Sequence, residues 1–152
     1  MDQKEMINVE WHKKMARDCF NGTWDLIDKQ DRTSEDIRLM IHKAHASVYH
    51  WHLIGEAIHQ ARGEWQVSRV YSIVGMGESA LYHGENSLRI CLENGIGDFD
   101  LAFGYEAVAR ALKLKGDLEG AERHIKLAEK ASEGIEKEDD RTYFLSELGT
   151  AK

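Results

Sequence analysis

The sequence predicts an all-α fold on three observations. Apolar residues recur at spacings of three and four, with no strict alternation long enough for a half-buried strand. The 152 residues include no proline, so no missing amide donor interrupts a long helix. Glycines punctuate the periodic segments where helix ends should fall, because glycine enters the left-handed conformation that closes a helix at little steric cost. A chain of this length holds one core comfortably, so residues 1–152 are read as one domain of about six to seven helices.

The first helix is expected from Gln3 to Phe20, with Ile7, Trp11 and Met15 on one face, and to break or bend at Asn21-Gly22 before a short turn through Trp24, Leu26 and Ile27. Thr33-Ser34-Glu35-Asp36 has the form of a capping box, in which a hydroxyl and a carboxylate satisfy the free amides of a helix start. A long second helix follows to Ile54, with Gly55 at its end and an apolar stripe at Ile37, Ile41, Ala44, Val48 and Trp51. The third runs from Glu56 to Val74, closed by Gly75, and contains Gly63, whose cost of about 1 kcal/mol relative to alanine signals close backbone packing. The fourth takes Glu78 to Asn94, and the fifth runs from Asp98, as N-cap, to Lys115 before Gly116. The sixth takes Asp117 to Glu133 and stops at Gly134. A charged, solvated run from Glu136 to Arg141 then leads to a short capping helix marked by Tyr143, Phe144, Leu145 and Leu148.

Composition narrows the function. The chain is 42% hydrophobic and 31% charged, with a net charge of −7, unlike a disordered segment. No lysine or arginine run offsets that charge, so a nucleic-acid backbone would be repelled and no nucleic-acid partner is expected. Cys19 and Cys91 lack C-x-x-C spacing and read as reduced core thiols. The charged start Met1-Asp2-Gln3-Lys4-Glu5 and the lack of any uncharged apolar run of about 18 residues give a cytoplasmic expectation with no membrane partner. No phosphate loop, nucleophile elbow or dinucleotide fingerprint occurs, which favours a non-catalytic reading.

Self-similarity adds a register: Val67 and Val108, Gly75 and Gly116, Ala80 and Ala121, and His83 and His124 are each 41 residues apart. Within the second unit, Tyr105, Val108, Ala109, Leu112, Gly116, Ala121, Ile125 and Ala128 resemble a tetratricopeptide repeat. The preceding unit, with Val67, Ser68, Tyr71, Gly75, Ala80 and Ser87, is similar but has Gly84 where the second helix usually carries a bulky residue. The spacing exceeds the family's repeat of about 34 residues, and the family's closing proline is absent. The resemblance implies a right-handed α-solenoid of antiparallel helix hairpins: irregular N-terminal helices over 1–63, two repeat-like units over 64–133, and a linker with a capping helix over 134–152. It implies a non-catalytic module that binds a protein or peptide, or a second copy of itself as a homodimer, through its inner helices. Glu64, Ser68, Tyr71, Tyr105, Arg110 and Lys113 are the candidate groove contacts, and no cofactor is expected.

A second reading, from another class, rests on the second helix. Arg38, His42, His45, Tyr49, His52, Glu56 and His59 follow one another at spacings of three and four, forming one polar stripe if the helix continues past Gly55. Imidazoles so spaced can share a divalent metal such as zinc, and Glu56-x-x-His59 has the spacing of carboxylate-bridged di-metal bundles. On this reading the chain is a metal-binding enzyme or sensor with ligands among His42, His45, His52, Glu56 and His59, and the stripe lines a cleft beside the core. Trp11, Trp24, Trp51 and Trp65 are read as core residues, with the provision that aromatics on an inner wall could anchor a peptide.

Overall fold

A computed structural model describes residues 2–152, and the described residues form seven helices and no strand. These are α1 (Gln3–Ile27), α2 (Ser34–Ile54), α3 (Ala57–Ile73), α4 (Gly77–Glu93), α5 (Asp98–Leu114), α6 (Leu118–Ser132) and α7 (Glu138–Gly149). Among the described residues no helix is long and apolar enough to cross a membrane.

The ends follow local chemistry. Thr33 and Asp36 cap α2 reciprocally: the Asp36 amide donates to Thr33 Oγ1 at 3.1 Å, and the Thr33 amide to Asp36 Oδ2 at 2.9 Å. Lys29 Nζ is a second donor to that carboxylate at 2.7 Å, and the Lys29 bond first, with the Thr33 amide, holds the Asp36 acid down to about 2. Gly75 and Gly116 take φ of +82° and +88°. Met76 and Asp117 then return their amides to the Tyr71 and Leu112 carbonyls, both at 2.9 Å, closing α3 and α5 by the same turn.

Three boundaries differ from expectation, the first being that Gly97 and not Asp98 is the N-cap of α5, Asp98 being its first residue with φ of +56°. α1 runs unbroken through Asn21 and Gly22 to Ile27. Gly22 instead lies within the helix beneath the Lys43 side chain, whose Nζ a Cβ there would approach to 3.0 Å. At the other end, Glu138, Asp139 and Asp140 open α7, where carboxylates favour the positive end of a helix dipole, so the linker is shorter than the charge run.

Packing follows chain order. Each helix packs on the next, and beyond these neighbours the backbones of only α1–α3, α3–α5 and α5–α7 come close. The odd-numbered helices therefore form one layer, and the even-numbered helices lie behind it with their backbones apart from one another. α3 and α5 begin 41 residues apart at Ala57 and Asp98, as α4 and α6 do at Gly77 and Leu118. Small residues permit the crossings: a Cβ on Gly63 would approach Val48 Cγ2 to 2.9 Å, and one on Gly84 would meet Ser68 and the Ala107 backbone at 3.1–3.3 Å. Gly84, the departure from the repeat pattern, is thus where α4 lies against both α3 and α5.

The core has two centres. Met40, Ala44, Val67 and Val70 form one, flanked by Ile41, Val48 and Tyr71. Ala102, Phe103, Ala128, Ile135, Phe144 and Leu148 form the other, so α7 buries Phe144 and Leu148 against α5 and α6. On α2 the buried line is Met40, Ala44 and Ser47, rotated from the expected stripe because α1 and α3 flank the helix on two sides. The polar member of that line is satisfied, with Ser47 Oγ donating to the Ala16 carbonyl at 2.8 Å. Ser87 of α4 does the same for Ala61 of α3 at 2.8 Å.

Candidate functional site

On the odd-helix layer, pairs of aromatic or small residues one turn apart converge. Phe20 and Trp24 come from α1, Ala61 and Trp65 from α3, Phe99 and Phe103 from α5, and Tyr143 from α7. With Arg62, Ser87 and Asp100 they line a cleft of about 220 Å³. Trp24 and Trp65 lie 5.7 Å apart between ring centroids, and Trp65 meets Phe103 edge-on at 5.2 Å. At the rim the Arg62 guanidinium donates twice to Asp100, Nε to Oδ1 at 2.8 Å and Nη2 to Oδ2 at 3.1 Å. Phe20 and Arg62 also border an adjoining hollow lined by Arg17, Asn21, Trp51, His59 and Gly63, which contains no carboxylate.

Trp65 is held from beneath by Glu106, whose side chain is fully buried. Glu106 Oε2 accepts from Trp65 Nε1 at 3.0 Å, while Oε1 accepts from Arg69 at 3.1 Å and from Arg110 Nε at 2.8 Å. Arg69 also lies over the Trp65 ring at 5.3 Å and reaches Glu147 of α7 at 3.1 Å. Arg110 donates to the Glu147 carbonyl and to Thr150 Oγ1. One buried carboxylate therefore fixes an indole of the cleft and ties α3, α5 and α7 together. The low local dielectric strengthens each of these bonds and penalises the loss of any of them.

The histidine stripe does not form one surface. Gly55 ends α2 in an extended conformation, φ −96° and ψ 174°, so Glu56 and His59 belong to the start of α3. There His59 Nδ1 accepts from the Glu56 amide at 3.0 Å, and its ring stacks on Trp51 at 4.3 Å. The Glu-x-x-His spacing thus serves a helix start. His42, Tyr49, His52, Glu56 and Arg38 are exposed, contrary to the expected cleft. A helix border carries no cover unless a neighbour supplies it, and α2 has neighbours only on its other faces. No group of three or more His, Cys, Asp or Glu that could hold a metal ion occurs among the described residues.

His45 alone turns inward from that stripe, and it meets residues of α3 and α4. Its Nε2 is 2.7 Å from the Tyr71 hydroxyl, and its ring is 5.4 Å from that of His83. His83 stacks on Tyr71 and donates from Nδ1 to Glu64 Oε2 at 2.6 Å, the carboxylate being able only to accept. Burial pushes the His45 pKa down, helped by His83 and His42 and opposed by Glu64. A histidine whose folded pKa is depressed stabilises the fold fully above its unfolded pKa near 6.5, and loses that contribution as pH falls below it. Wild type should therefore lose melting temperature between pH 8 and 5.5, and His45→Gln should lose less. Parallel melting curves for the two proteins would contradict this origin.

The other groove candidates have internal partners. Ser68 is buried and donates to the Ala80 carbonyl at 2.7 Å, and Tyr105 packs on the second core centre. Arg110 belongs to the Glu106 network, and Lys113 Nζ donates to the Lys152 carbonyl. None of Glu64, Ser68, Tyr71, Tyr105, Arg110 and Lys113 lines the aromatic cleft. Of the four tryptophans none is fully buried, and two of them, Trp24 and Trp65, are cleft walls. Cys91 is buried, its thiol pushed up to about 11 mainly by desolvation, and both cysteines are free.

A signal for the cleft exists in the sequence. Trp24 and Trp65 are 41 residues apart, as are Gly22, Gly63 and Gly104 in succession, which extends the register into α1. Reading Gly22 as a helix stop places Trp24 in a turn and hides it. Comparisons with protein-family models, with characterised proteins and with solved structures find no match to this chain.

Proposed function

We propose that the chain is a non-catalytic helical-repeat module, similar in architecture to tetratricopeptide proteins, whose odd-helix face binds a peptide segment. Three hairpins of about 41 residues and the cap α7 stack as a right-handed solenoid. The observation that carries the binding role is the aromatic cleft: four odd-numbered helices each contribute a wall, and Glu106 sets the indole of Trp65 before any ligand arrives. An apolar concavity with a few fixed polar groups at its rim is the usual form of a binding site.

Charge selects the ligand. In a chain of net charge −7, the hollow beside the cleft gathers Arg17, His59 and Arg62, the last paired with Asp100 at the cleft rim, and no carboxylate lines the hollow itself. The segment recognised carries a large apolar or aromatic anchor for the cleft and an acidic side chain nearby for the hollow.

Selection from a random 12-residue peptide library displayed on phage, followed by titration of the synthetic peptides, tests this reading. Enrichment of an aromatic or large aliphatic residue beside Asp or Glu is the expected result. Trp24→Ala should weaken the selected peptides about 30-fold or more, the size of an interface hot spot of about 2 kcal/mol. Failure to enrich any peptide, or equal affinity for Trp24→Ala, overturns the proposal.

A further inference from the structure

The first hairpin carries an apolar face that the rest of the fold leaves uncovered. α1 has 25 residues against 17 in α3 and α5, and it meets only α2 and α3. On its N-terminal half Met6, Ile7 and Trp11 are 52–60% exposed, and on α2 Tyr49 and Leu53 are 61% and 47% exposed.

These side chains form one surface. Ile7 lies one turn before Trp11, and Trp11 meets the His50 ring edge-on at 5.5 Å. His50 in turn meets Tyr49 at 5.9 Å, and Leu53 follows Tyr49 by one turn. Between the helices His12 Nδ1 and His50 Nδ1 are 2.8 Å apart. One nitrogen donates and the other accepts, so at least one ring is neutral. Burial together with the neighbouring His12 pushes the His50 pKa down, which suits an uncharged seam.

The charge distribution says what can cover this face. Residues 1–18 hold four cationic and four acidic side chains, and residues 39–54 hold Lys43 as their only Lys, Arg, Asp or Glu, so all of the chain's net negative charge lies elsewhere. Two copies meeting through this hairpin bring together surfaces without net repulsion, while contacts through the acidic remainder oppose each other. In a two-fold arrangement each residue that contacts a position on the second copy is contacted in return by its own copy there.

We propose that the α1–α2 face is a homodimer interface, with two copies packing their first hairpins about a two-fold axis and Trp11 of one copy against Tyr49 and Leu53 of the other. Exposed aromatic and aliphatic side chains grouped in one patch are the usual mark of such a surface. This surface is separate from the aromatic cleft, so the dimer and peptide binding stand or fall independently.

Sedimentation velocity of the full chain at pH 7.5, over about 1 to 200 µM, tests the dimer. The expected result is concentration-dependent dimerisation, with the dissociation constant raised at least tenfold by Trp11→Glu and by Tyr49→Lys. Leu118→Glu is the control: Leu118 is 65% exposed on α6, which touches neither α1 nor α2, and its replacement should leave dimerisation unchanged. Far-ultraviolet circular dichroism verifies that each variant keeps its helices. A strict monomer up to about 200 µM, or a dimer that Trp11→Glu and Tyr49→Lys weaken no more than Leu118→Glu does, overturns the proposal.

Discussion

Glu106→Leu should destabilise the protein by about 3–5 kcal/mol, the cost of breaking a buried charge pair from one side. The carboxylate is fully buried and is the common acceptor for Trp65, Arg69 and Arg110. Leucine leaves the Arg69 guanidinium, whose side chain is 12% exposed, with only Glu147 as a counter-charge. The Arg110 Nε and the Trp65 indole N–H lose their acceptor outright. At roughly 2–4 °C per kcal/mol for a chain of this size, the melting temperature should fall by about 6–20 °C. The triple variant Glu106→Leu, Arg69→Met, Arg110→Leu should regain part of the loss, because no charge then remains buried alone. Differential scanning calorimetry reads both, and a single variant melting within about 2 °C of wild type would show the network to be energetically idle.

Phe144→Ala should cost about 3–5 kcal/mol, the range for truncating a fully buried phenylalanine. Phe144 has no exposed surface and meets Phe103 edge-on at 4.8 Å, at the centre of the cluster that joins α5, α6 and α7. Its neighbour Leu145 is 44% exposed, so Leu145→Ala should cost less than about 1 kcal/mol. Urea denaturation distinguishes the two. Equal midpoints would mean that α7 rests on the surface without belonging to the core.

The contrast between those neighbours was readable only in part. That Phe144 and Leu148 are four residues apart marks one face of a helix, and their burial against α5 and α6 follows from a stack that needs its end covered. The Glu106 network was not readable. Glu106 and Arg110 are an ordinary helical pair by spacing, and nothing local says that Trp65, 41 residues earlier, donates to the same carboxylate.

The histidine stripe shows the same limit from the other side. Its spacing is regular, but Gly55 and the packing of α2 decide that His45 alone meets Tyr71 and His83, leaving His42 and His52 exposed. Spacing places side chains on a face; it does not say whether another helix covers that face.

Residues near in sequence thus determined the helical class, the capping of α2 by Thr33 and Asp36, and the left-handed turns at Gly75 and Gly116. Those features rest on hydrogen bonds spanning three to five residues, so a short window contains both partners. Tertiary structure decided that α1 continues through Gly22, that Trp24 and Trp65 face each other across a cleft, and that Glu106 stands under one of them. Each of these depends on which helix lies alongside, and that depends on burying the apolar faces of all seven helices at once.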